Sequence, residues 1–177
     1  MSQETRSPRN AKQLIELIVD DEIVEIAVRP HHLLVDVLRD GCGRTSVKEG
    51  CESAGCGACT VLIDGQPTLS CITLAVDAVG CKIRTVEGLR SPDGSLHPVQ
   101  KAFVEHHAIQ CGFCTPGMVL SAVALLESNA IPTEEDVRAA IAGNLCRCTG
   151  YIRIVQAIIA ASQVTTSAAE RRFVEVP

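Results

Sequence analysis

The sequence predicts an α+β protein built in two parts, a strand-rich unit of roughly 80 residues followed by an all-helical one. Three observations carry this. Two apolar runs flank the pair Asp20-Asp21 near the start. Turn-forming residues cluster at Gly88, Ser91-Pro92-Asp93-Gly94-Ser95 and Pro98. Beyond that cluster, apolar residues recur only at helical spacing.

The elements follow in chain order. Leu14 to Val19 and Glu22 to Val28 read as strands, with Asp20-Asp21 as a two-residue turn. Glu16 and Glu25 interrupt the apolar runs, as expected of a half-buried hairpin. Leu33 to Leu38 has helical spacing and stops at Gly41. Thr60 to Ile63 is a strand ended by Asp64-Gly65, and Leu69 to Val76 and Cys81 to Arg84 are further strand candidates. After the linker, Val99, Ala102, Phe103 and His106 share one helical face. Met118, Val119, Ala122, Leu125 and Leu126 form an apolar stripe, with Thr115 as cap and Pro116 in the first turn. Thr133 to Asp136 reads as a capping box opening a third helix, and Tyr151, Ile152, Val155, Ile158 and Ile159 mark a fourth. Domain limits of 13–86 and 97–163 follow, with 1–12 and 164–177 as flexible tails.

Composition narrows the function. Hydrophobic residues make up 46% of 177, enough for a core, but there are only three Phe, one Tyr and no Trp. A net charge of -5 without a basic block gives no nucleic-acid footprint. No apolar run approaches the roughly 20 residues of a membrane helix. The polar stretch Met1 to Gln13 has no signal-peptide core, so a cytoplasmic protein is expected. Ten cysteines in such a chain point to metal ligation or redox chemistry, because disulfides are rare in a reducing compartment.

The cysteines form two groups of different spacing. Cys51-x4-Cys56-x2-Cys59 with Cys71 has the plant-type 2Fe–2S spacing, and small residues between the ligands let the backbone wrap closely around buried sulfurs. A zinc site favours paired C-x2-C knuckles and fits this group poorly. Cys111-x2-Cys114 and Cys146-x-Cys148 each stand just before a predicted helix, whose free N–H groups favour an anion. On spacing alone this second group suits either a cluster or a tetrahedral zinc. Arg147 reads equally as a cation tuning such a site or as an exposed loop residue. Cys42 and Cys81 read as packed thiols, and the five histidines as structural or exposed, since eight cysteines complete two clusters without a Rieske-type pair.

The stretches Val47 to Val61, Gln110 to Met118 and Gly143 to Tyr151 closely resemble the iron–sulfur subunit of the molybdenum hydroxylases, the xanthine oxidase family. The resemblance runs from about Gln13 to about Ser162, and its three motifs together set the zinc reading aside. It implies a β-grasp plant-type 2Fe–2S ferredoxin-like domain followed by a four-helix 2Fe–2S domain. It implies a large partner subunit with a molybdenum–pterin cofactor and a medium one with FAD, in a dimer of heterotrimers. The chain would then relay electrons from molybdenum to FAD, with substrate chemistry on the large subunit. By the same resemblance Cys111, Cys114, Cys146 and Cys148 hold the cluster nearer the pterin, Cys51, Cys56, Cys59 and Cys71 hold the one nearer the flavin, and Gln110 hydrogen-bonds the pterin. The chain departs from the family pattern at Cys42 and Ser46, where Leu and Gly are usual.

Overall fold

The computed structural model describes residues 11–91 and 93–174. Most of the arm expected at 1–12, Pro92 of the linker and the last three residues of the expected tail lie outside them.

The first unit is a five-stranded mixed sheet. Strands β1 (Gln13–Val19), β2 (Glu22–Val28), β3 (Thr60–Ile63), β4 (Gln66–Leu69) and β5 (Lys82–Arg84) are ordered β2-β1-β5-β3-β4. Asp20 and Asp21 both take left-handed backbone angles, φ 53° and 63°, and turn β1 into β2 as a tight hairpin. Its register pairs Glu16 with Glu25 on the solvent face, while Leu17 and Val19 face the core. β1 and β5 run parallel, and β5 and β4 flank β3 antiparallel. Helix α1 (Leu34–Asp36) continues as a wider turn over Val37–Gly41, and Leu34, Val35 and Leu38 pack beneath the sheet with Leu17, Val61 and Ile83.

Leu69 to Val76, expected as a strand, is not one. β4 ends at Leu69 and the chain turns through short 3-10 segments at Ser70–Ile72 and Ala75–Ala78. The reason is local: Ser70 Oγ donates to the Cys59 carbonyl at 2.7 Å and Thr73 Oγ1 to that of Leu69 at 3.0 Å, so side chains draw the backbone out of the ladder.

The second unit is four helices: α2 (Pro98–Glu105), α3 (Thr115–Ser128), α4 (Glu134–Ala140) and α5 (Ile152–Val174). α4 opens with the expected capping box, Thr133 and Asp136 bonding reciprocally. For α3 the cap is Cys114 rather than Thr115, which is the first helical residue. Its apolar surface is wider than a stripe, because Gly117 to Val123 are all buried. This helix runs through the centre of the molecule, with the sheet on one side and helices on the other. In α5, Ile154 is buried and Ile152 is exposed, the reverse of the weight given to Ile152 in the sequence reading. α5 also continues to Val174, through most of the stretch read as a tail.

The two units interlock. Leu62 of β3 belongs to the helical core, Arg84 of β5 pairs with Glu127 of α3 at 2.7 Å, and Gln100 of α2 donates to the Val86 carbonyl at 3.1 Å. Among the described residues no helix is long and apolar enough to cross a membrane.

Candidate metal centres

The first cysteine loop is built by glycine and left-handed backbone. Arg39 donates to the Thr45 and Val47 carbonyls at 3.2 and 2.6 Å, tying the approach loop to the wider turn after α1, and the Lys48 N–H bonds the Ala58 carbonyl at 3.2 Å. Between them Glu52, Ala54 and Gly57 take φ of 53°, 61° and 69°. For Glu52 and Ala54 this conformation is costly and persists only where surrounding contacts enforce it. It turns N–H groups inward, and that of Gly55 donates to Cys51 Sγ at 3.3 Å. A side chain at Gly50 would stand 2.9 Å from Cys56 Sγ, so the loop closes around sulfur only because that residue is glycine. Cys71 arrives from the segment after β4 and is buried with Cys59.

The second site gathers two loop ends. Cys111 and Cys114 lie on the loop entering α3, and Cys146 and Cys148 on the loop entering α5. Thr149 Oγ1 donates to Cys146 Sγ at 3.1 Å and accepts from the Tyr151 N–H at 3.2 Å. Tyr151, itself at φ 69°, offers its hydroxyl to the Cys146 N–H at 2.7 Å and pins the loop.

The sulfurs meet two by two. Cys148 and Cys111 are 3.6 Å apart, and Cys51 contacts Cys56, Cys59 contacts Cys71 and Cys114 contacts Cys146. Pairs adjoin within each group, since Cys56 bears electrostatically on Cys59 and Cys111 on Cys114. Each group has an outer and an inner half. Cys51, Cys111 and Cys148 are exposed, while Cys59 and Cys71 are buried and Cys56, Cys114 and Cys146 are half-buried.

The electrostatics follow from this layering. Hydrogen bonds from Ser53 bring the Cys51 thiol down to about 6. Burial pushes Cys59 up to about 11 and Cys114 up to about 12. Burial also opposes ionisation of Cys146, but donors from Thr149 and Cys148 outweigh it and hold that thiol below its ordinary value. Among the described residues no three or more His, Cys, Asp or Glu side chains are gathered as one metal site. An all-thiol donor set in adjacent pairs, with N–H and O–H groups aimed at sulfur, fits a two-iron cluster with two thiolates on each iron.

The remaining candidates fall outside these groups. Cys42 is half-buried near Arg44 and Asp20, and Cys81 lies against Asp64. Gln110 and Arg147 are exposed beside the second group. His97 caps α2, its Nδ1 accepting from the Val99 N–H at 3.3 Å. The sequence reading missed Asn144 and Tyr151 as supports. From the sequence Tyr151 reads only as a helix residue, though its place three residues after Cys148 puts a hydroxyl within reach of the loop.

Residues 17–79 match the family described as 2Fe-2S iron-sulfur cluster binding domain, and residues 85–159 the one described as [2Fe-2S] binding domain. The chain is 49% identical over 155 residues to the nicotine 6-hydroxylase small subunit of Paenarthrobacter nicotinovorans, covering 88% of this chain and 92% of that one. It is 48% identical to the nicotinate dehydrogenase small FeS subunit of Eubacterium barkeri, over 83% of this chain and 93% of that one. Among solved structures, quinoline 2-oxidoreductase from Pseudomonas putida 86 superposes with a TM-score of 0.84 at 44% identity, covering 89% of this chain and 98% of its counterpart.

Proposed function

The chain belongs to the iron–sulfur subunits of the molybdenum hydroxylase family, and from that membership we propose how it serves as their electron relay. Cys51, Cys56, Cys59 and Cys71 hold one 2Fe–2S cluster, and Cys111, Cys114, Cys146 and Cys148 hold the other. The observation that carries the reading is the pairing of thiols into two tetrads, each with an exposed and a sheltered half. When bound, each cluster takes up and gives back one electron.

The chain's own residues orient the relay. Cys111 and Cys148 reach the surface beside Gln110, with Ile109 exposed next to them and Phe113 and Leu145 exposed where the two cysteine loops meet. That apolar rim suits a large partner subunit carrying the molybdenum–pterin cofactor, with Gln110 hydrogen-bonding the pterin. Cys51 reaches the surface beside Glu49 and Glu52, a polar rim suited to the medium subunit that carries FAD. Electrons leave the molybdenum subunit at the first face and reach FAD at the second, within a dimer of heterotrimers in the cytoplasm. Substrate choice lies on the large subunit.

Partial reduction of the complex, followed by electron paramagnetic resonance, tests this. Two distinct signals are expected, each approaching one spin per chain as reduction is carried to completion, in material that co-purifies with two larger subunits. A single spin system would refute the second site.

A further inference from the structure

We propose that Asn144 is a positioning residue that fixes the two cysteine loops against one another. The inference rests on the ligand assignment above.

Asn144 is 4% exposed and stands two residues before Cys146. Its Nδ2 donates to the Gly57 carbonyl at 2.9 Å and to Thr60 Oγ1 at 3.1 Å, and its Oδ1 accepts from Ser121 Oγ at 2.7 Å. The Gly57 carbonyl can only accept, so the amide orientation is fixed by chemistry. One side chain thus joins the loop of the second tetrad, the loop of the first and the central helix α3. Beside it, the Leu145 N–H donates to the Cys56 carbonyl at 2.8 Å. Cys56 belongs to the first tetrad, and Leu145 is bonded to Cys146 of the second. One hydrogen bond therefore separates the two ligand loops.

The junction leaves no room for slippage. A side chain at Gly57 would strike the Gly143 carbonyl and come within 2.7 Å of Asn144 Nδ2. One at Gly117 would stand 2.5 Å from the Gly57 carbonyl. Three backbones meet where only glycine fits, and Asn144 satisfies the polar groups that this approach buries. Replacing the amide by a carboxylate keeps the acceptor for Ser121 but sets oxygen against the Gly57 carbonyl, so the loops must part.

The experiment uses the holo-complex and reads the magnetic splitting between the two clusters when both are reduced, a quantity that depends on their separation. The wild type is expected to hold four irons per chain and to show the splitting. In N144D the splitting is expected to be lost while each signal still integrates to one spin, and in S121A, which removes only the donor to Oδ1, to be partly lost. V137A, in the helical core away from the junction, should lower the melting temperature without changing it. Unchanged splitting in N144D and S121A overturns the proposal, as does an equal change in V137A, or a wild type with four irons and no splitting. If N144D does not fold, S121A decides alone. A wild type with fewer than four irons instead overturns the ligand assignment, so the two failures are told apart.

Discussion

Gly57 shows how much of this protein is decided by single residues. It adopts φ 69°, and any side chain there would meet the Gly143 carbonyl. Gly57→Ala is therefore expected to lower the unfolding free energy by at least ~1–2 kcal/mol from the left-handed backbone, with the clash adding to it. Denaturant unfolding measures this, and an unchanged midpoint would contradict the packing described. The thiols divide as sharply. Cys111→Ser removes a partner of Cys148 and should halve the iron content, whereas Cys42→Ser should leave it intact, as iron analysis of both variants would show. The eight proposed ligands are singled out by the spacing within each loop and by resemblance, although Cys71 and the Cys146–Cys148 loop come from separate segments. Asn144 is not, since its partners Gly57 and Thr60 lie 87 and 84 residues away and nothing in the local pattern marks it.

At the scale of elements, hydrophobic period was informative where one face is solvated and misleading where none is. The hairpin of β1 and β2 has a wet face, and Glu16 and Glu25 announce it. Helix α3 has almost none, so its pattern shows a stripe where burial is nearly continuous. Capping by His97 was equally hidden, because a histidine seldom serves as a helix cap. It has a consequence for pH. Burial holds His97 below its ordinary 6.5, the Arg84 charge adds to this, and Glu127 opposes it. As pH falls, the unfolded chain takes up the proton first. The stability contributed by neutral His97 is thus complete above 6.5 and lost as pH falls through that value towards the lower folded one. Thermal melts of the wild type should fall between pH 7.5 and 5.5 by more than those of His97→Asn, which keeps a capping oxygen but does not titrate. Equal slopes would contradict the assignment of the cap.

Over the whole molecule, two units that read from the sequence as separate beads share a seam. Leu62 enters the helical core, Arg84 meets Glu127, and Cys56 meets Leu145. Such a seam cannot be read from periodicity, which reports which residues are buried but not against what. Its effect is that each cluster site supports the other. Removal of iron by a chelator should lower the melting temperature of the entire chain in one transition, because ligation and folding are coupled. Two separated transitions in calorimetry would mean that the units melt independently.

The most direct test of the central claim is metal analysis of anaerobically prepared complex. Two thiolate tetrads around paired irons require about four irons and about four acid-labile sulfides per chain, in a coloured protein. A colourless protein with about one zinc per tetrad and no labile sulfide would contradict it.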